Sequence, residues 1–191
     1  MLTLVLGGAA SGKSEYAEAL VLRCGLPRYY LATMQVWDAE CEARIAKHRQ
    51  QRAGKGFCTI EMPDHAEEAA ASLTPGSTAL LECVSNLTAN EQFGTGVPDP
   101  AQTVLDGIGA IQKCLAHLVI VTNEVFSAGT PADAVMQTYL QNLGKINCTL
   151  AQWADVVLEV AGADTTFRLA WECARPNAVV TVVALYDKAQ T

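Results

Sequence analysis

The feature that most constrains this chain is a glycine-rich loop directly after its first apolar segment. Leu2 to Leu6 is an apolar run of strand-forming residues, and residues 7–14 read Gly-Gly-Ala-Ala-Ser-Gly-Lys-Ser. A strand, a loop of this pattern and a helix together form a phosphate-binding P-loop. Small residues let backbone N–H groups approach phosphate oxygens, and the helix points its positive end at the anion. We therefore predict a nucleoside triphosphate site here.

Each part of the loop has a predicted task. Lys13 supplies a positive charge to the outer phosphates, and Ser14 offers its hydroxyl to Mg²⁺. The backbone of the remaining residues encloses the phosphates. The predicted nucleotide-binding set of the loop is Gly7, Gly8, Ala9, Ala10, Ser11, Gly12, Lys13 and Ser14.

A carboxylate at the end of a second strand is the next requirement, because phosphoryl transfer needs an acid near the metal. Glu82 follows the apolar run Ala79-Leu-Leu, and Glu124 follows Val-Ile-Val-Thr-Asn. We favour Glu82 as a metal-binding and catalytic residue, with Glu124 as the second candidate. Either side chain could instead be a polar residue where a strand leaves the core.

Apolar runs and helical patterns alternate along the chain. We predict strands at 2–6, 28–33, 57–61, 78–81, 118–122, 155–160 and 178–185. Helices are predicted at 12–24, 38–51, 64–73, 101–116 and 132–153, the third of them capped by Asp64. Because crossover helices join parallel strands, the expected fold is a three-layer α/β domain with a mainly parallel sheet. We expect residues 1–191 to form a single domain.

Composition excludes several classes of protein. The net charge of -7 argues against a general nucleic-acid binder, which would carry a basic surface. No apolar stretch has the length of a transmembrane helix. The seven cysteines form no C-x-x-C pair, so zinc ribbons have no support and reduced thiols in a cytoplasmic protein are expected.

The histidines need context before one of them can be singled out. His65 and His117 fall at the starts of a predicted helix and strand, where structural roles are expected. His48 lies in a cationic helix with Arg44, Lys47, Arg49 and Arg52, and in isolation it would be a solvent-facing residue. This cluster of cations would be costly without an anion, so it is predicted to hold a triphosphate.

Taken together, the motifs resemble the bifunctional adenosylcobinamide kinase / adenosylcobinamide-phosphate guanylyltransferase family over about residues 1–160. The matching positions are 7–14, 30–33, Asp38, Glu40, 44–45, 48–49, Arg52, 59–63, 80–83, Asn90, 121–125, Gly144 and Asn147.

The resemblance implies a RecA-like P-loop fold and two reactions of cobalamin biosynthesis. In the first, ATP or GTP phosphorylates the hydroxyl of a corrinoid substrate's aminopropanol arm. In the second, GMP passes from GTP to that phosphate through a guanylylated histidine, and His48 matches that position. The implied catalytic residues are Lys13, His48 and Glu82, with Thr33, Arg49, Glu61 and Glu82 added to the nucleotide-binding set. Mg²⁺ and a homo-oligomer, a trimer in this family, are implied as well.

The chain also departs from the family pattern. Residues 126–131 replace a glycine-rich stretch, and Leu140, Gln141 and Cys148 stand at other motif positions. Two alternatives therefore remain open. One is a kinase that acts on another small alcohol and lacks guanylyl transfer. The other is a nucleotide-binding module without catalytic activity.

Overall fold

A parallel β-sheet forms the centre of the computed structural model, which describes residues 1–36, 38–126, 133–162 and 164–183. Its strands follow the order β3-β2-β4-β5-β1-β6-β7, and every described pair is parallel. The α/β prediction with a mainly parallel sheet is therefore confirmed. The strands are β1 (Leu2–Gly7), β2 (Arg28–Ala32), β3 (Phe57–Glu61), β4 (Thr78–Glu82), β5 (His117–Asn123), β6 (Val156–Glu159) and β7 (Val179–Val182).

Helices connect the strands and cover the sheet. They are α1 (Lys13–Leu22), α2 (Ala39–Arg52), α3 (Ala66–Ala69), α4 (Val84–Asn90), α5 (Pro100–Cys114), α6 (Ala134–Trp153) and α7 (Asp164–Cys173). A 3₁₀ turn at Ala70–Ser72 follows α3, and a π-helical turn at Glu91–Thr95 follows α4.

The two faces of the sheet bury different helices, because successive strand residues point to opposite sides. On one face, Ala17 and Val21 of α1 pack with Val5 of β1. On the other face, Ile108 of α5 and Leu143 of α6 pack in the larger cluster of apolar residues. Helices thus cover both faces, as the three-layer prediction required.

The segment 64–73 differs from its prediction as one helix capped by Asp64. Helix α3 begins at Ala66, and its N-cap is His65, which has a left-handed φ of 45°. The backbone N–H of His65 donates to the Glu91 carboxylate at 2.7 Å, so a tertiary contact fixes where this helix starts. The Asp64 cap was therefore wrong.

Helix α4 was not predicted from the sequence. Its segment Val84–Asn90 is rich in residues with modest helix propensity, including two asparagines. Val84, Leu87 and Thr88 are fully buried, so packing against the sheet outweighs local preference.

The strand order places the predicted functional residues together at the carboxyl ends of the central strands. The loop after β1 and the end of β4 are separated only by β5, which pairs with both strands. Because all three strands are parallel, their carboxyl ends open on the same side of the sheet. This is where ligands bind in open α/β sheets.

Candidate active site

The loop between β1 and α1 depends on glycine at two positions. Gly12 is the N-cap of α1 with a left-handed φ of 79°, which glycine adopts without strain. At Gly7, a Cβ atom would lie 2.6 Å from the Ser11 hydroxyl oxygen, so any larger residue would force the Ser11 side chain to move. The backbone therefore turns tightly between the strand and the start of α1.

Lys13 is largely buried at the start of α1. Its ammonium group donates a hydrogen bond to the Gly8 carbonyl at 2.8 Å, so the side chain folds back over the loop. Burial lowers the pKa of Lys13, while the nearby Cys83 and Glu82 side chains oppose that shift. The ammonium group thus lies within electrostatic range of the β4 carboxylate.

The Glu82 carboxylate is held by both of its oxygens. The Ser14 hydroxyl donates to Oε1, and the Tyr30 phenol donates to Oε2 at 3.0 Å. Burial, followed by the charge of Glu82, raises the pKa of Tyr30 well above its usual range, so the phenol remains a donor. The structure therefore brings together the predicted loop hydroxyl and the predicted carboxylate.

Glu124, the second candidate, also lies at the cleft but has a local partner. Its Oε1 accepts the backbone N–H of Phe126 at 2.8 Å, which fixes the turn after β5. Glu82, unlike Glu124, contacts the hydroxyl of the loop residue Ser14.

The donor set at Ser14 and Glu82 fits Mg²⁺, since a hydroxyl and a carboxylate are the hard oxygen ligands that this ion prefers. Across 1–36, 38–126, 133–162 and 164–183, no three His, Cys, Asp or Glu side chains cluster in a way that could hold a metal. Enzymes that use nucleotides bind Mg²⁺ with only one or two protein ligands, because phosphate oxygens and water molecules supply the remaining ligands.

Helix α2 lies over the loop and presents a cationic face to it. Arg44, His48 and Arg52 recur at every fourth position, so they share one side of the helix. All three line a cleft of about 600 Å³ together with Lys13 and Glu82. The His48 Nδ1 atom is buried and makes no hydrogen bond with the described residues. A nucleotide-sized space therefore separates the helix from the phosphate loop.

The other predicted nucleotide-binding residues take different positions. Arg49 and Glu61 line the cleft and form an ion pair of 2.8 Å, with more than half of each side chain exposed. Thr33 is fully buried and does not line the cleft. Its hydroxyl donates to the Cys83 carbonyl at 2.9 Å and accepts the Cys83 N–H at 2.7 Å, so it supports the end of β4.

Within the phosphate loop, Ala9 to Ser14 line the cleft, whereas Gly7 and Gly8 do not. Tyr30 had no predicted role, although it begins one of the matching motifs and contacts both Glu82 and Arg52. Asn123 was also missed. Its amide donates to the Ser85 hydroxyl at 2.6 Å and it lines the cleft. Its place directly before Glu124, at the end of a strand, was the available signal.

Comparison with known proteins identifies the family. The family model described as cobinamide kinase / cobinamide phosphate guanyltransferase matches residues 3–167. The chain belongs to this family. The matched range runs from β1 into α7, and all the residues of the site described above fall within it.

Relatives in three bacteria agree with the family assignment. The bifunctional adenosylcobalamin biosynthesis protein CobU of Escherichia coli is 36% identical over 177 residues, which are 85% of this chain and 97% of the relative. CobU of Salmonella typhimurium is likewise 36% identical with the same coverage. CobP of Pseudomonas aeruginosa is 32% identical over 85% of this chain and 94% of its own length.

Among solved structures, the crystal structure of the RadB recombinase is 16% identical, with a TM-score of 0.41, and the match covers 72% of this chain and 70% of that one.

In the part of the chain that the structure describes, none of the helices is both long and apolar enough to cross a bilayer. The predictions of a cobinamide kinase / guanylyltransferase and of its enzyme class are confirmed by the family match.

Proposed function

We propose that this chain phosphorylates the hydroxyl of a cobinamide and then transfers GMP from GTP to the resulting phosphate, with both reactions in the one cleft. The observation that carries this proposal is that Lys13, Glu82 and His48 line the same cavity. The family match over residues 3–167 supplies the substrate class. We further propose a cytoplasmic homo-oligomer built from a single nucleotide-binding domain. Free cysteines throughout the chain support a reducing compartment.

In the first reaction, the corrinoid hydroxyl oxygen attacks the γ-phosphorus of ATP or GTP. A new P–O bond forms, the bond to the β-phosphate oxygen breaks, and the hydroxyl proton is released. Lys13 and the loop N–H groups stabilise the charge on the phosphate oxygens. Ser14 and Glu82 would hold Mg²⁺, which neutralises phosphate charge when bound.

In the second reaction, a ring nitrogen of His48 attacks the α-phosphorus of GTP, and pyrophosphate leaves. The P–N bond then breaks when a phosphate oxygen of the corrinoid attacks the same phosphorus, which frees His48. Arg44 and Arg52 flank His48 on the helix face and are placed to bind the triphosphate. We assign Arg49, Glu61 and Glu82 to the nucleotide site with the loop, and Thr33 to it through its support of β4.

The test uses GTP labelled in its α-phosphate, with Mg²⁺ and a denaturing gel. We expect an acid-labile, base-stable label on the wild type that is absent in His48→Asn. Lys13→Ala should lose both this label and phosphate transfer to adenosylcobinamide, because it removes a charge shared by both reactions. His65→Asn is the matched control, since His65 lies outside the cleft and its left-handed backbone suits asparagine. A label that persists in His48→Asn would contradict the assigned nucleophile.

The same assay separates the two alternatives. A kinase without guanylyl transfer would phosphorylate a small alcohol and carry no label, and a binding module would do neither. Of the altered segment 126–131 that motivated the first alternative, only Phe126 lies within the described residues, and its ring is placed beside Gly144 of α6.

A further inference from the structure

The ring of Tyr30 lies between two charged side chains of the cleft. Tyr30 is only 4% exposed, and its phenol donates to Glu82 Oε2 at 3.0 Å. The guanidinium carbon of Arg52 lies 3.3 Å from the centre of the same ring. Phe57 packs edge-on against that ring, with 6.3 Å between ring centres. One side chain of β2 thus contacts the carboxylate of β4 and the last turn of α2.

Arg52 is buried but lacks partners for part of its guanidinium group. It is 6% exposed, and its Nε and Nη1 atoms make no hydrogen bond with the described residues. Leaving charged donors unpaired in a buried position is unfavourable. Because Arg52 lines the cleft with Lys13, the missing partner is expected to be an anion that enters the cleft. Adjacent guanidinium donors match two oxygens of a phosphate group.

Arg52 also lies one helical turn after His48. Residues four apart on a helix are neighbours, with Cβ atoms about 6 Å from each other. A phosphate bound by Arg52 is therefore close to the histidine ring. Stacking on Tyr30 restrains the guanidinium group, so it would lose little freedom on binding.

The proposed function already assigns Arg52 to the triphosphate of GTP; from this geometry we infer that Tyr30 positions both Arg52 and Glu82. This inference rests on the proposed function. The Tyr30 ring orients the phosphate ligand on the helix that carries His48, and its hydroxyl orients the carboxylate at the phosphate loop. One tyrosine thereby links the parts of the cleft used in guanylyl transfer and in phosphoryl transfer.

The Arg52 part is tested by the affinity for Mg-GTP and the rate of His48 labelling. In Arg52→Gln we expect about a tenfold or larger rise in the calorimetric Kd and in the KM for labelling, as for a lost charge-assisted hydrogen bond. Arg52→Lys keeps the charge but loses the planar fork, so it should fall between the wild type and Arg52→Gln. The midpoint of thermal unfolding without nucleotide should stay near that of the wild type. Arg23→Gln, an exposed arginine at the end of α1, is the control.

The Tyr30 part is tested by separating its ring from its hydroxyl. Tyr30→Phe keeps the ring under Arg52, so the KM for GTP should stay within about twofold while kcat for phosphate transfer falls about tenfold. Tyr30→Leu removes both contacts and should lower kcat and raise KM together. Tyr29→Phe is the matched control, because the neighbouring Tyr29 packs on the other face of the sheet and its hydroxyl bonds to Thr74.

Three results would overturn the inference. They are an unchanged Kd for Mg-GTP in Arg52→Gln, a Tyr30→Leu variant with the KM of the wild type, and a Tyr30→Phe variant indistinguishable from Tyr29→Phe. Failure of the proposed function would look different, because the wild type would then bind Mg-GTP without labelling or phosphate transfer. In that case, weaker binding of Mg-GTP by Arg52→Gln would still support phosphate binding by Arg52.

Discussion

At the scale of single residues, a buried amide next to the site holds two segments together. Asn90 Nδ2 donates to the Thr33 carbonyl at 2.8 Å and to the Pro63 carbonyl at 2.7 Å. Asn90→Ala leaves both carbonyls without this donor, so we expect the free energy of unfolding to fall by about 2–3 kcal/mol. Urea denaturation measures this change. Asn142→Ala removes a partly exposed amide contact with Gln92 and should cost less than about 0.5 kcal/mol.

His117 should make stability depend on pH. Burial lowers the pKa of His117, with a smaller contribution from the positive N-terminus, and Asp155 opposes the shift. Because the folded protein resists protonation of this ring, the contribution of neutral His117 to the free energy of unfolding is fully present above the ordinary histidine pKa of about 6.5. This contribution declines as the pH falls below that value. We expect urea midpoints between pH 7.5 and 5.5 to vary less in His117→Gln. Equal pH dependence in the two proteins would contradict this interpretation.

Residues whose roles follow from a local sequence motif were predictable, whereas contacts that depend on the pairing register of strands were not. Lys13 and Ser14 follow from the loop sequence itself. The contact of Tyr30 with Glu82 exists because β2 and β4 pair with Ala32 opposite Glu82, and no short motif encodes that alignment. The stacking of Arg52 likewise requires the end of α2 to pack on the sheet. The role of Thr33 could not be read either, since its partner is the backbone of Cys83.

At the scale of secondary-structure elements, two glycines of α5 should respond in opposite directions to the same substitution. A Cβ atom at Gly107 would lie 2.6 Å from the Ala66 Cβ and 3.1 Å from the Glu67 nitrogen, so α3 would have to move. We expect Gly107→Ala to destabilise the fold by about 1–3 kcal/mol, although alanine is the better helix former.

Gly109→Ala supplies the matched comparison. Its Cβ would meet the Trp153 ring at 3.8 Å, an ordinary contact, so helix propensity should stabilise the protein by about 0.5–1 kcal/mol. Thermal and urea unfolding of both variants test the pair. If both substitutions changed stability in the same direction, the close approach of α3 and α5 would not determine their effect.

Most strands and long helices were predictable because their apolar patterns are regular. Helices α3 and α4 were not, since the first is one turn held by Glu91 and the second has weak local propensity. Helix α7 lies in the region after Gly162, which was left unassigned apart from its last strand. Its apolar residues, such as Ala170, pack on β6 and α6, and the helix could not be predicted without those tertiary contacts.

At the scale of the whole molecule, the proposed function uses one phosphate loop for both nucleotides. ATP as the kinase substrate and GTP as the guanylyl donor should therefore compete for Lys13 and the loop. We expect ATP to inhibit His48 labelling by raising the apparent KM for GTP while the maximal rate stays constant. An ATP analogue that cannot transfer its γ-phosphate serves as the inhibitor, so that phosphate transfer does not complicate the assay. A lowered maximal rate with unchanged KM would indicate separate sites.

The sequence predicted parallel strands but not their order, because alternation of strands and helices is compatible with several arrangements. Both neighbours of β1 come late in the chain: Leu4 of β1 pairs with Ile120 of β5 and with Val157 of β6. The first amino group itself donates to the Ala116 carbonyl, 115 residues away. During synthesis, β1 has no partner strand until β5 (His117–Asn123) has left the ribosome, so the backbone groups of β1 stay unpaired for much of translation. Maturation should therefore be slow and sensitive to chaperone supply, whatever the stability of the finished enzyme.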